Sequence, residues 1–106
     1  MVLDAFGLQV WSRGEIEAHV AAGGLLLDVR EPDEFASGHV TGATLMPMKT
    51  VEVEQVRQLA AGQPVVVMCK SGGRSGKVGV MLQQAGIEVR QGLGVEQWLA
   101  QGGALV

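Results

Sequence analysis

The sequence predicts an α/β fold: a central parallel β-sheet with helices on both of its faces. Three observations predict it. Strand-like and helix-like segments alternate along the chain in β-α-β-α-β order. Two of the strand-like runs, Leu25-Leu-Leu-Asp-Val29 and Val65-Val-Val-Met68, are almost continuously apolar, as strands buried on both faces are. The chain has 106 residues, 47% hydrophobic and 18% charged, which suits one folded core and not a disordered chain. With two Trp, two Phe and no Tyr, that core must be built of Val, Leu, Ala and Met. A single domain over residues 1–106 is expected.

The elements follow in order. Leu8–Val10 is a short apolar start. Ser12-Arg-Gly-Glu15 reads as a capping box, with the Ser hydroxyl taking a free backbone N–H and the Glu reaching back. Trp11 and Ile16 flank it as a hydrophobic staple, and Gly23-Gly24 stop the helix. After the run at Leu25–Val29, Pro32–Ala36 forms one or two helical turns and Thr44–Met46 a short strand. Val51–Ala61 reads as a helix with Val53, Val56, Leu59 and Ala60 on one face, ended by Gly62 and Pro64. The run at Val65–Met68 follows. Ser75 is expected to cap a helix to Gln84, in which Gly76 and Gly79 point to close backbone packing. Ile87–Arg90 is a short strand, and Glu96–Gln101 a last helix carrying Trp98. No internal repeat or linker interrupts the pattern.

The bulk charge excludes some functions. A net charge of −3 gives no case for nucleic-acid binding. No apolar run approaches the roughly 18 residues of a membrane span, and the first residues lack the basic start of a secretory signal. One cysteine rules out an internal disulfide and a multi-cysteine metal site, so a reducing, cytoplasmic setting is expected, with no metal and no cofactor.

That cysteine sits in the most informative stretch, Cys69-Lys-Ser-Gly-Gly-Arg-Ser75. Ligands of open parallel sheets bind beyond the carboxyl ends of the strands. Connectivity puts Asp28-Val-Arg30 at one such end and Cys69 at another. The thiolate is the reactive form of cysteine and needs a depressed pKa. Three features work in that direction. The loop closes onto a helix N-terminus, Gly72 and Gly73 let successive N–H groups converge on one centre, and Lys70, Arg74 and Lys77 are nearby cations. Between Glu54 and Glu88 there is no acid, while Arg57, Lys70, Arg74 and Lys77 lie inside that window. An anionic substrate or intermediate suits such a patch. His19 and His39, the only histidines, are far from Cys69 in sequence. His19 is expected at the surface and His39 is expected to hold a turn. A buried, inert cysteine is the alternative for Cys69, and an ion pair that merely satisfies itself is the alternative for Asp28 and Arg30.

Three blocks together resemble the rhodanese family of single-domain sulfurtransferases: Leu25 to Ala43 (LLLDVREPDEFASGHVTGA), Val65 to Ser75 (VVVMCKSGGRS) and Gly92 to Trp98 (GLGVEQW). The likeness runs from about Val10 to Val106. It implies a rhodanese-like α/β fold. It implies that Cys69 takes sulfane sulfur from thiosulfate or a persulfide donor, holds it as a persulfide in a nest made by Lys70, Ser71, Gly72, Gly73, Arg74 and Ser75, and passes it to cyanide or a thiol. Arg74 would brace the loop through a carboxylate, with Asp28, Arg30 and Glu34 supporting it from behind. A sulfur-donor or sulfur-acceptor protein is a further expected partner. Related dual-specificity phosphatases have a longer loop; the four residues between Cys69 and Arg74 suit sulfur. Leu93 stands where the family usually has glycine, Thr41 where it often has proline, and Leu45 where it often has asparagine. A persulfide carrier that acts by docking, and a small phosphatase or arsenate reductase, are the competing functions.

Overall fold

The computed structural model describes residues 1–106. Its four strands are β1 (Leu25–Asp28), β2 (Thr44–Leu45), β3 (Val65–Cys69) and β4 (Val89–Gly94), and its five helices are α1 (Arg13–Ala21), α2 (Pro32–Ala36), α3 (Val53–Ala60), α4 (Gly73–Gln84) and α5 (Val95–Ala100). The strands form one all-parallel sheet in the order β2-β1-β3-β4. A short 3-10 turn, Met48–Thr50, precedes α3. No helix is long and apolar enough to cross a membrane.

Side chains alternate along β1 and β3, so the sheet has two apolar faces. Leu27, Val65, Val67, Cys69 and Val89 pack with Val56 and Ala60 of α3 and with Val78 and Leu82 of α4. Leu26, Val66 and Met68 face the other way, toward Ile16 of α1 and Val95 and Trp98 of α5. Every residue of β3 is buried, which is why its sequence is an unbroken apolar run. The chain end belongs to the second face: Leu105 packs on it and Val106 pairs through the backbone with His39.

The capping box at Ser12 and Glu15 is present in both directions. Trp11 packs against the cluster that contains Ile16. In α4, Gly76 lies under the Phe6 ring and Gly79 against Leu8, and a Cβ at either would collide. Met46 is buried in the same cluster as Cys69, and Met48 packs against it.

Several boundaries differ from the sequence expectation. Helix α3 starts at Val53 and ends at Ala60, and Ala61 (φ 51°) takes the left-handed conformation already before Gly62 (φ 82°). Leu59 is half exposed, because Val56 and Ala60 hold the inward face at a spacing of four. His19 is not a surface side chain: it is half-buried, its ring nitrogen lies 3.0 Å from the Leu25 carbonyl oxygen, and its ring meets Trp11 edge-on. His39 does hold a turn, bonding to the Phe35 carbonyl and stacking on its ring. Strand β4 begins and ends later than Ile87–Arg90. Gln91-Gly-Leu-Gly94, beyond the expected strand end at Arg90, continues the strand against β3, and Gln91 also bridges to Val10.

Candidate active site

Strand β3 carries Cys69 to the carboxyl edge of the sheet. Asp28 ends β1 beside it in the register, opposite Met68. The chain then turns through Lys70 and Ser71, and Gly72 adopts φ 114°, a conformation that favours glycine. Helix α4 starts directly after it. Gly72 is therefore the residue before the helix, and Ser75 lies inside the first turn instead of capping it. The left-handed glycine brings the helix start three residues earlier than a cap at Ser75 would. Of the expected loop, Gly73, Arg74 and Ser75 are helical.

This arrangement aims the free N–H groups of the first turn at the sulfur. The Gly72 N–H donates to Cys69 Sγ at 3.1 Å and the Ser75 N–H at 3.4 Å. The Cys69 thiol in turn meets Ser75 Oγ at 3.4 Å. Cys69 is 1% exposed, and burial pushes its thiol pKa up. The Ser75 hydroxyl and the backbone N–H groups of Ser75, Gly72 and Ser71 outweigh burial, so the net direction is down from the ordinary thiol value. Cys69 is thus buried among donors that favour its anion.

Arg74, in the same turn, pairs with α2. Its guanidinium makes two hydrogen bonds to Glu34, Nη1 to Oε1 at 2.7 Å and Nη2 to Oε2 at 2.9 Å. Glu34 Oε1 also accepts the Glu31 N–H at the start of α2. The Arg74 hydrogen bonds, opposed by partial burial and aided by the Glu31 N–H, hold the Glu34 carboxyl at about 2. Behind this pair lies another. Arg30 Nε and Nη2 grip both oxygens of Asp28, with Nη2 to Oδ2 at 2.7 Å, and both side chains are buried. Arg30 spends its other donors on the carbonyls of Glu34 and Gly38. Asp28, Arg30, Glu34 and Arg74 thus form one chain of contacts from β1 through α2 to the first turn of α4. Lys70 stands apart, largely exposed, 3.9 Å from Glu96.

The low Glu34 pKa has a consequence for stability. A carboxylate whose folded pKa lies below its unfolded value stabilises the fold fully above the unfolded value, and that contribution is lost as pH falls toward the folded one. Urea unfolding from pH 6 to pH 2.5 should therefore show a loss of stability beginning near pH 4.5 that is smaller in Glu34→Gln. At pH 7 the same substitution should cost about 2 kcal/mol, the range for hydrogen bonds to charged groups.

The sequence reading did not pick out Gln91. Its side chain is fully buried beside Ser75, and Ser75 Oγ donates to Gln91 Oε1 at 2.7 Å. A polar residue in the middle of a parallel strand was the available signal, hidden because the expected strand ends at Arg90 while β4 runs to Gly94.

Two cavities flank the first turn of α4 and its preceding loop. One, of about 260 Å³, is lined in part by Asp4, Phe6, Ser71, Gly72 and Leu93. The other, of about 300 Å³, is lined in part by Arg30, Glu34, Ser37 and Lys70.

Comparison with known proteins agrees with this architecture. A family model described as a rhodanese-like domain matches residues 12–101. An uncharacterized protein of Synechocystis is 41% identical over 64 residues, 60% of this chain and 35% of that protein. The thiosulfate sulfurtransferase GlpE of Pseudomonas entomophila is 34% identical over 55 residues, 52% of this chain and 50% of that one. The alignments thus span half or less of these two relatives' length. Among solved structures, a thiosulfate sulfurtransferase from Pseudomonas aeruginosa superposes with a TM-score of 0.82 at 25% identity, covering 93% of this chain and 20% of the other. The sheet order, the cysteine at the end of β3 and the match over most of the length lead to one assignment: the chain belongs to the rhodanese-like domain family.

Proposed function

We propose that the protein is a sulfurtransferase that carries sulfane sulfur as a persulfide on Cys69. One observation carries this reading: a lone cysteine whose sulfur faces two backbone N–H groups of a helix start, at 3.1 and 3.4 Å. Such donors stabilise negative charge where it rests. The sulfurtransferase named among the relatives supports the same reaction class.

The chemistry closes without a cofactor. The Cys69 thiolate attacks the outer sulfur of thiosulfate, the sulfur–sulfur bond of the donor breaks, and sulfite leaves with its electron pair. The product, Cys69–S–S⁻, keeps one negative charge on its terminal sulfur. Cyanide or a thiolate then attacks that sulfur, the new bond forms, and the Cys69 thiolate is regenerated. The depressed thiol pKa provides the nucleophile without a neighbouring histidine. Near-complete burial of Cys69 favours a donor with a slender terminal sulfur over a bulky group. Arg74, held by Glu34, adds positive charge near the sulfur.

Mass spectrometry after thiosulfate treatment tests the reading. The intact chain should gain about 32 Da, one sulfur, and cyanide should remove it, as a covalent intermediate requires. An unchanged mass with thiosulfate and with small persulfides would overturn it.

A further inference from the structure

The buried amide of Gln91 has a single possible orientation. Its Nε2 donates to Asp4 Oδ2 at 2.8 Å and to the Gly72 carbonyl at 3.1 Å. Its Oε1 accepts the Leu93 N–H at 2.9 Å and the Ser75 hydroxyl at 2.7 Å. Turning the amide over would set its NH₂ against the Leu93 N–H and its oxygen against two acceptors. Between Ser75 Oγ and Gln91 Oε1 the only available proton is the hydroxyl's, and the Leu93 carbonyl, 3.2 Å from Ser75 Oγ, is a longer second acceptor for that proton away from the sulfur. While Gln91 holds that proton, Ser75 offers the sulfur a lone pair, and the partner that fits is the thiol S–H, 3.4 Å away. An anionic sulfur needs the reverse. The hydroxyl must turn toward it, and Gln91 Oε1 then keeps the Leu93 N–H, so no buried acceptor is orphaned.

We propose that Gln91 is a positioning residue that holds the Ser75 hydroxyl proton away from Cys69 until the sulfur is an anion, making Ser75 a two-position rotor. The inference rests on the reading that Cys69 works as an anion. Gln91 also takes the N–H of Leu93, a non-glycine residue in the left-handed region (φ 60°). One amide therefore joins the N-terminal turn at Asp4, the residue before α4 and the end of β4.

The other charges facing the sulfur are accounted for. Arg74 acts on it from α4 and is paired with Glu34 of α2. Asp28 at the end of β1 and Arg30 two residues beyond it neutralise each other. Lys70 leans to Glu96 of α5, while Lys49 of the 3-10 turn and Lys77 of α4 are exposed. Asp4 is separated from the sulfur by the Gln91 amide itself.

The test is the pH dependence of Cys69 alkylation by iodoacetamide in the full chain. Gln91→Met removes the shorter of the hydroxyl's two acceptors and leaves the thiolate to compete only with the Leu93 carbonyl at 3.2 Å, so alkylation below the thiol midpoint should be about threefold to tenfold faster than in the wild type, half to one pKa unit. Ser75→Ala should be slower by a similar factor. In the Ser75→Ala background, Gln91→Met should change nothing. An unchanged or raised midpoint in Gln91→Met, or an equal effect with and without the Ser75 hydroxyl, would overturn the rotor in favour of simple loop distortion. Should the variants not fold, the wild type decides. The Gln91 side-chain carbonyl carbon should shift in NMR spectra with the same midpoint as Cys69, and a signal that stays still through that range would end the proposal. Alkylation needs no sulfur transfer. Loss of the rotor effect with persulfide still formed refutes this inference alone, and a rotor effect without persulfide refutes the sulfurtransferase alone.

Discussion

Cys69→Ala should abolish conversion of thiosulfate and cyanide to thiocyanate, lowering the rate by more than about a thousandfold, as loss of a nucleophile does. The reason is covalent. The chain has one thiol, and the hydroxyls and amines near the first turn of α4 cannot hold sulfur as a persulfide, so no other side chain can carry it between the two half-reactions. The fold should survive, because the change removes a single atom from a cluster of thirteen buried residues. Urea unfolding of the variant checks that point. Turnover within tenfold of the wild type would show that sulfur moves directly between the two small molecules.

Breaking the Asp28–Arg30 pair should have the largest effect on stability. Arg30→Met leaves a fully buried carboxylate without its partner and also removes the guanidinium donors to the Glu34 and Gly38 carbonyls, the first of which keeps its Ser37 donors. The expected loss is about 3–5 kcal/mol, the range for a buried charge deprived of its mate. A domain of this size has roughly 5–15 kcal/mol in total, so the midpoint in urea should fall steeply. Replacing both partners, Asp28→Leu with Arg30→Met, should cost much less, since no buried charge remains. A loss below about 1 kcal/mol in Arg30→Met would mean that water or a neighbour already satisfies Asp28.

The sequence made some parts of this molecule legible because local chemistry and tertiary packing agree there. Ser12 and Glu15 cap α1 with the two bonds their spacing allows. Val65–Met68 is apolar at every position because both faces of β3 are covered. The convergence of backbone N–H groups on Cys69 was legible in the glycine-bearing loop that follows it. Other parts depend on contacts between distant segments. The start of α4 follows from one positive φ at Gly72, which no periodicity records. Gln91 escaped notice because the expected strand ends at Arg90, and only pairing with β3 and Val10 carries β4 on to Gly94. His19 turned inward because the Leu25 carbonyl at the start of β1 lies within reach of its ring. The link from Arg74 to Glu34, forty residues apart, is a property of the fold and not of either local sequence.

Because the chain has a single cysteine, the ultraviolet absorbance of its thiolate can be titrated without ambiguity. If hydrogen bonds from the first turn of α4 outweigh burial, the midpoint in the folded protein should lie below that of the same chain unfolded in urea. A folded midpoint equal to or above the unfolded one would show that burial prevails, and that Cys69 is a core side chain and not the seat of an anionic sulfur.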